Sequence, residues 1–195
     1  MSMLRTFIAL PVTSDAKVQR LLEVSHQLRN QADSVRLVSP MNFHITLKFL
    51  GDTKHADLPR IKDAVATGLQ NCPGFDWLLR GVGVFPHLRR PRVVWAGVEP
   101  SEPFQRLAAS LDSVLQPLGF QPEQRAYTPH LTLARINDSP PGSHHPVDLS
   151  QWLQRNQTVT FASLSAVEVQ LIQSELTPRG PCYHTLQSFP LHTSI

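Results

Sequence analysis

Phe43-His44-Ile45-Thr46-Leu47-Lys48-Phe49 alternates apolar and polar side chains without a break, and its His-x-Thr-Leu string returns 86 residues later as His130-Leu131-Thr132-Leu133. Such alternation marks a half-buried strand, because successive side chains leave opposite faces of the pleat. Counted by twos, Phe43, Ile45, Leu47 and Phe49 line the buried face. His44, Thr46 and Lys48 line the other, where Lys48 would raise the positive potential beside the imidazole. The second string puts Leu131 and Leu133 inward and His130 and Thr132 outward. Duplicated packing would need only the apolar positions to agree. A His and a Thr that also agree have no packing reason to do so, and they point to a shared chemical task.

The repetition extends beyond the two strings, and self-similarity of this kind decides architecture before any single element does. Arg5-Thr6-Phe7-Ile8-Ala9-Leu10 resembles Arg92-Val93-Val94-Trp95-Ala96-Gly97 at an offset of 87, and Gln19-Arg20-Leu21 recurs as Gln105-Arg106-Leu107 at 86. Periodicity and breakers predict strands at about 4–10, 43–50, 75–85, 92–98, 130–135, 157–173 and 182–190. Helices are predicted at about 14–32, 55–71, 102–118 and 148–155. The order β-α-β-α-β occurs twice. The expected fold is therefore α+β: two lobes related by a pseudo-twofold, with antiparallel sheets facing a central cleft and helices outside. Residues 1–195 form one bilobal domain with repeat halves at about 4–86 and 91–173, joined through HLRRPR at 87–92. The stretch NDSPPGSHHP at 137–146 is a turn-rich loop. Phe43, Trp77 and Trp95 are expected in the core.

The chain has 195 residues, 41% of them hydrophobic, enough for one compact domain. Its 18 basic side chains against 15 acidic ones leave a charge of +3, too little to argue for a partner by itself. Fourteen of the basic residues are Arg, whose planar fork suits phosphate better than the point charge of Lys. Cys72 and Cys182 have no C-x-x-C spacing and suggest passive thiols in a reducing compartment. The N-terminal apolar run is too short for a signal core or a membrane span. A cytoplasmic protein without membrane association is expected, and a monomer, since the internal repeat already supplies a symmetric cleft.

Two imidazoles facing one cleft suit in-line displacement at phosphorus. One accepts a proton from the entering oxygen and the other gives one to the departing oxygen. Thr46 and Thr132 can donate hydrogen bonds to the non-bridging oxygens, where charge develops. No metal or cofactor is demanded. A two-histidine metal site would need a third ligand, and the nearest acids, Asp52 and Asp138, stand outside both strings. The other histidines have no counterpart at the same offset and are read as structural or surface residues, the His144-His145 pair included. Arg89, Arg90 and Arg92 could touch a nucleic-acid backbone or simply be solvated. Arg125 and Tyr127 precede the second string, where the ring could stack a base or join the core.

The strings RTFIALPV (5–12), FHITLKFLGD (43–52), PRVVWAGV (91–98) and TPHLTLAR (128–135) resemble the two-histidine (2H) phosphoesterase superfamily. Within it they are similar to the bacterial and archaeal RNA 2′,3′-cyclic phosphodiesterase branch, historically called 2′-5′ RNA ligase. The resemblance covers about residues 4–173. It implies metal-independent hydrolysis of a terminal 2′,3′-cyclic phosphate to a 2′-phosphomonoester, with ATP-independent 2′-5′ joining as a related activity. The partner would be RNA with cyclic-phosphate ends, tRNA fragments among them. His44 would be the proton donor and His130 the acceptor, with Thr46 and Thr132 on the phosphate. Arg135, which closes H-x-T-L-x-R, would add a phosphate contact. Counted by twos from His130, however, Arg135 falls on the opposite face unless a bulge or the strand end turns it back. The alternatives are a small cyclic nucleotide as substrate, or a binder of RNA ends without turnover.

Overall fold

Leu58, Ile61, Val65 and Leu69 are buried at helical spacing, as are Phe104, Leu107, Leu111 and Leu115, and each series winds an amphipathic helix over one side of a sheet. The computed structural model describes residues 3–13, 16–30, 34–137, 147–178 and 180–192; the His144-His145 pair lies outside them. In the first half the order is β1 (Met3–Pro11), α1 (Gln19–Arg29), β2 (Val35–Leu37), β3 (His44–Lys54), α2 (Leu58–Leu69) and β4 (Phe75–Phe85). There follow β5 (Val93–Glu99), α3 (Glu102–Leu115), β6 (His130–Ile136), α4 (Ser150–Asn156), β7 (Thr160–Ala166), β8 (Glu168–Thr177) and β9 (Gly180–Pro190). No helix among the described residues is long and apolar enough to cross a membrane.

Among the described residues, nine strands join one curled antiparallel sheet in the order β7-β4-β5-β6-β3-β1-β8-β9, with β2 added to β6. The two sheets expected from the sequence are thus continuous, joined where β3 meets β6 through the single register pair Ile45↔Leu131. β4, from the first half of the chain, lies beside β5, and β8, from the second half, lies beside β1. Each repeat has therefore given its last strand, β4 or β8, to the other's side of the sheet. The helices cover one face: α2 and α3 pack together on the β3 side, α1 and α4 on the β4 and β7 side. Gly68 lets α2 and α3 approach closely, since a Cβ there would come within 2.8 Å of Val114 Cγ2. The main core fills this helix-covered side, and the cleft face carries a small separate cluster of Phe7, Ala9 and Ile172 with Tyr183 packed on it.

The duplication is visible in strand register. Pro11 pairs with His44 and Ala9 with Thr46; Gly97 pairs with His130 and Trp95 with Thr132. The structural offset of β1 and β5 is therefore also 86, one less than the sequence match of Arg5 to Arg92 suggests. The expected strand over 157–173 is two strands. Burial falls on Leu164 and Ala166 and then on Val169 and Leu171, a change of phase at exposed Val167, where the chain leaves β4 for β1.

Candidate active site

The Ile45↔Leu131 pair, fully buried on the helix side, brings the two His-x-Thr strings side by side and leaves His44, Thr46, His130 and Thr132 half-buried on the opposite face. The chain enters each string in a way that holds its imidazole. Before His44, the turn Pro40–Asn42 closes with Phe43 N–H donating to Pro40 O, which carries the Asn42 carbonyl under the ring. Before His130, Pro129 biases Thr128 toward extended backbone. His44 Nδ1 lies 2.7 Å from Asn42 O, and His130 Nδ1 lies 2.8 Å from Thr128 O. A carbonyl only accepts, so Nδ1 donates in both rings and each Nε2 is left for the cleft.

Aromatic rings wall both imidazoles. Phe7 and Tyr183 stand 4.9 and 5.3 Å from His44, and Phe85 and Trp95 stand 5.0 and 6.2 Å from His130. Burial is the main cause that pulls the His44 pKa below its ordinary value. The bond to Asn42 opposes it, and the charges of Arg135 and His130 add to the lowering. His130 is lowered by burial as well, opposed by its Thr128 bond and reinforced by Arg135. Both rings are therefore shifted toward the neutral form, and a bound anion would push both back toward protonation.

A bulge decides which residues share this face. On β3, Ile8 pairs with Lys48 and Ala9 with Thr46, so Leu47 is an extra residue; on β6, Val94 pairs with Ala134 and Trp95 with Thr132, so Leu133 is extra. Beyond the bulge the alternation changes phase. Arg135, which strict counting by twos would place on the far face, is turned back to the cleft, where its charge is felt by His44, His130 and Tyr183. The same device overturns the expectation for Lys48 and Phe49. Lys48 is only 4% exposed on the helix side, its ammonium donating to Asp112 of α3 and to Gln121 O at 2.6 Å, while Phe49 is 58% exposed on the cleft face with its ring 6.1 Å from Phe7. Phe49 occupies the position of β3 that Arg135 occupies on β6.

Trp95 is not simply core. It stands beside His130 over Gly83, where a Cβ would approach its ring to 2.2 Å. Gly83→Ala is therefore expected to displace the indole, destabilise the fold by about 1–3 kcal/mol and lower kcat, as a thermal melt with parallel rate measurements would read. Tyr127 packs against the core, and its hydroxyl, kept protonated by burial, donates to Thr46 O at 2.8 Å. It ties the approach to the second string onto the first. Phe43 and Trp77 are core, as expected. Phe7, Phe85 and Tyr183 were not singled out from the sequence. The alternation of β1 around the Phe7–Ala9 face was the available signal for Phe7, whereas Tyr183 lies beyond the repeats. Among the described residues, no three His, Cys, Asp or Glu side chains are grouped so as to hold a metal ion.

A profile of the 2′-5′ RNA ligase superfamily matches residues 13–177. The RNA 2′,3′-cyclic phosphodiesterase of Methanothermobacter thermautotrophicus is 37% identical over 96% of this chain and 98% of its own length. That of Aeropyrum pernix is 34% identical over 87% and 93%. Among solved structures, TT0787 of Thermus thermophilus superposes with a TM-score of 0.80 at 28% identity, covering 98% of this chain and all of that one. E. coli LigT in complex with 3′-AMP shares the fold at a TM-score of 0.72 and 24% identity, covering 97% of this chain and 99% of its own. With two His-x-Thr strands meeting at one buried pair and a profile match over most of its length, the chain belongs to the 2′-5′ RNA ligase superfamily.

Proposed function

We propose that this protein hydrolyses terminal 2′,3′-cyclic phosphates of RNA to 2′-phosphomonoesters by two-histidine acid-base catalysis. The observation that carries the reading is the matched pair of imidazoles, each with Nδ1 held by the carbonyl two residues before it and Nε2 free. The relatives' names supply the substrate class. His130 Nε2 takes a proton from water as its oxygen bonds to phosphorus. The bond from phosphorus to the 3′ oxygen breaks, and His44 Nε2–H gives that oxygen its proton, leaving the phosphate on the 2′ oxygen. Thr46, Thr132 and Arg135 hold the non-bridging oxygens, where negative charge builds. A 5′-hydroxyl in place of water would give a 2′-5′ linkage through the same steps. The ring opening of the cyclic diester drives that joining, so no ATP enters. The protein works as a monomer, without metal or cofactor.

An oligonucleotide ending in a 2′,3′-cyclic phosphate, incubated with the protein and a chelator, should give a 2′-phosphate end. An unchanged substrate would leave only a binder of RNA ends, and a 3′-phosphate product would reverse the bond assignment. Because both imidazoles titrate below their ordinary value, the bell in kcat/KM should centre on the acidic side of about pH 6.5. Arg135→Ala removes a cation that disfavours both imidazolium forms, so both limbs should move to higher pH. The same change should lower kcat/KM about 10- to 100-fold through the lost charge-assisted bond. Limbs that stay in place would contradict the position of Arg135.

A further inference from the structure

Across the sheet edge from Arg135 stands a second arginine. β2 is only three residues long, yet it pairs Val35 with Ile136, Arg36 with Arg135 and Leu37 with Ala134. Val35 and Ile136 are both buried, which places the Arg36–Arg135 pair on the opposite, cleft-facing side, where both residues are exposed. Directly opposed strand partners lie only about 5 Å apart at Cα, so the two guanidinium-bearing side chains leave this edge of the sheet side by side.

The matching place in the other half is different. There Phe49 takes the position of Arg135, opposed on β1 by Phe7 as Arg135 is opposed on β5 by Val93. The cleft is thus symmetric in its His and Thr residues and asymmetric past the two bulges, with Arg135 beyond one and Phe49 beyond the other. Register also tells which side the arginines flank. With Ile45 opposite Leu131 in antiparallel strands, Thr132 lies toward His44, and Arg135 with Arg36 lies further in that direction, since β2 leads into β3 through the Pro40–Asn42 turn. The arginine pair is on the His44 side, where the 3′ oxygen leaves phosphorus while the ribose stays attached through its 2′ oxygen.

We propose that Arg36, beside Arg135 on the cyclic phosphate, forms a second phosphate subsite that holds a backbone phosphate of the RNA strand carrying the cyclic end. The subsite selects a strand over a mononucleoside cyclic phosphate. This rests on the reading of the cleft given above as the site of cyclic-phosphate opening. A mononucleoside 2′,3′-cyclic phosphate has one phosphate, which the His and Thr residues and Arg135 take, and it offers nothing to Arg36. A strand brings the next phosphate along its backbone to the guanidinium that lies one β-strand further out, and Arg supplies the planar fork that such an oxygen pair accepts.

The test compares kcat/KM for a short oligonucleotide ending in a 2′,3′-cyclic phosphate with that for adenosine 2′,3′-cyclic phosphate, in the native protein, Arg36→Gln and Arg36→Lys, over a range of salt. The native protein should prefer the oligonucleotide. Arg36→Gln should cut that preference about tenfold and make the salt slope on the oligonucleotide shallower by roughly 0.7, the share of one single-strand phosphate contact, while Arg36→Lys restores part of both. Equal losses on the two substrates, an unchanged preference, or a native preference for the mononucleotide would each overturn the subsite. Turnover of neither substrate by the native protein would instead sink the hydrolytic reading. The ratio of Kd for a 2′-phosphorylated oligonucleotide to Kd for 2′-AMP then tests the subsite on its own: a tenfold rise in that ratio on Arg36→Gln supports it, and an unchanged ratio overturns it.

Discussion

Alanine at His44 or at His130 is expected to lower kcat on a terminal 2′,3′-cyclic phosphate by about 10²–10⁴-fold, the span over which a positioned general acid or base acts. The two losses should not multiply. If both rings act in one displacement, removing the second after the first takes little more, and the double variant should fall well short of the product of the singles. The residual rate then reports what Thr46, Thr132 and Arg135 contribute by holding the phosphate. Single-turnover measurements separate the chemical step from product release, and circular dichroism checks that the sheet is intact. The fold should tolerate either change, because each ring lies on the cleft face rather than in the main core. A variant that kept half the native rate would remove that histidine from the mechanism.

The largest effect on stability should come from Asp112→Ala, a residue in neither His-x-Thr string. Asp112 partners the ammonium of Lys48, whose side chain is 3% exposed, while Asp112 itself is 27% exposed. Its removal leaves a buried cation whose remaining hydrogen-bond partner among the described residues is the Gln121 carbonyl. Breaking a buried pair in this way costs about 3–5 kcal/mol, and the partial exposure of Asp112 puts the expectation at the lower end. For a chain of this length that is a fall in Tm of roughly 6–12 °C. Lys48→Met should cost less, because the charge leaves with the pair and a chain of similar volume fills its place. A thermal melt of the two variants reads the order directly, and Lys48→Met as the worse of the two would contradict it. Both should also slow turnover, since the Lys48 clamp fixes β3 two residues past Thr46.

Lys48 also shows where reading the sequence reached its limit. In Phe43–Phe49 the polarity pattern alternates perfectly, and nothing in it hints that one residue is extra. The bulge at Leu47 inverts the pattern, so that a lysine goes inward and a phenylalanine outward. That inversion is tolerable only because Asp112, 64 residues away, and the Gln121 carbonyl, 73 residues away, meet the ammonium. No local signal could carry this information. The equivalent bulge at Leu133 acts in the helpful direction and returns Arg135 to the cleft. β2 escaped notice for a simpler reason: three residues are too short for any period to show, and it forms because β6 offers an open edge beyond the reach of β3.

From the doubled His-x-Thr strings and the apolar spacing around them, the sequence by itself determined that the chain is a duplicated α+β protein with two equivalent His-Thr strand faces. Apolar periodicity is a local property, and the repeat copies it. The tertiary structure alone decided how the copies meet: one curled sheet joined at Ile45 and Leu131, β4 and β8 exchanged between halves, and matching bulges that bring Arg135 and Phe49 to the cleft while sending Lys48 to Asp112. Those choices depend on which distant edges and charges are available to pair, and such partners are set only once the whole chain has closed.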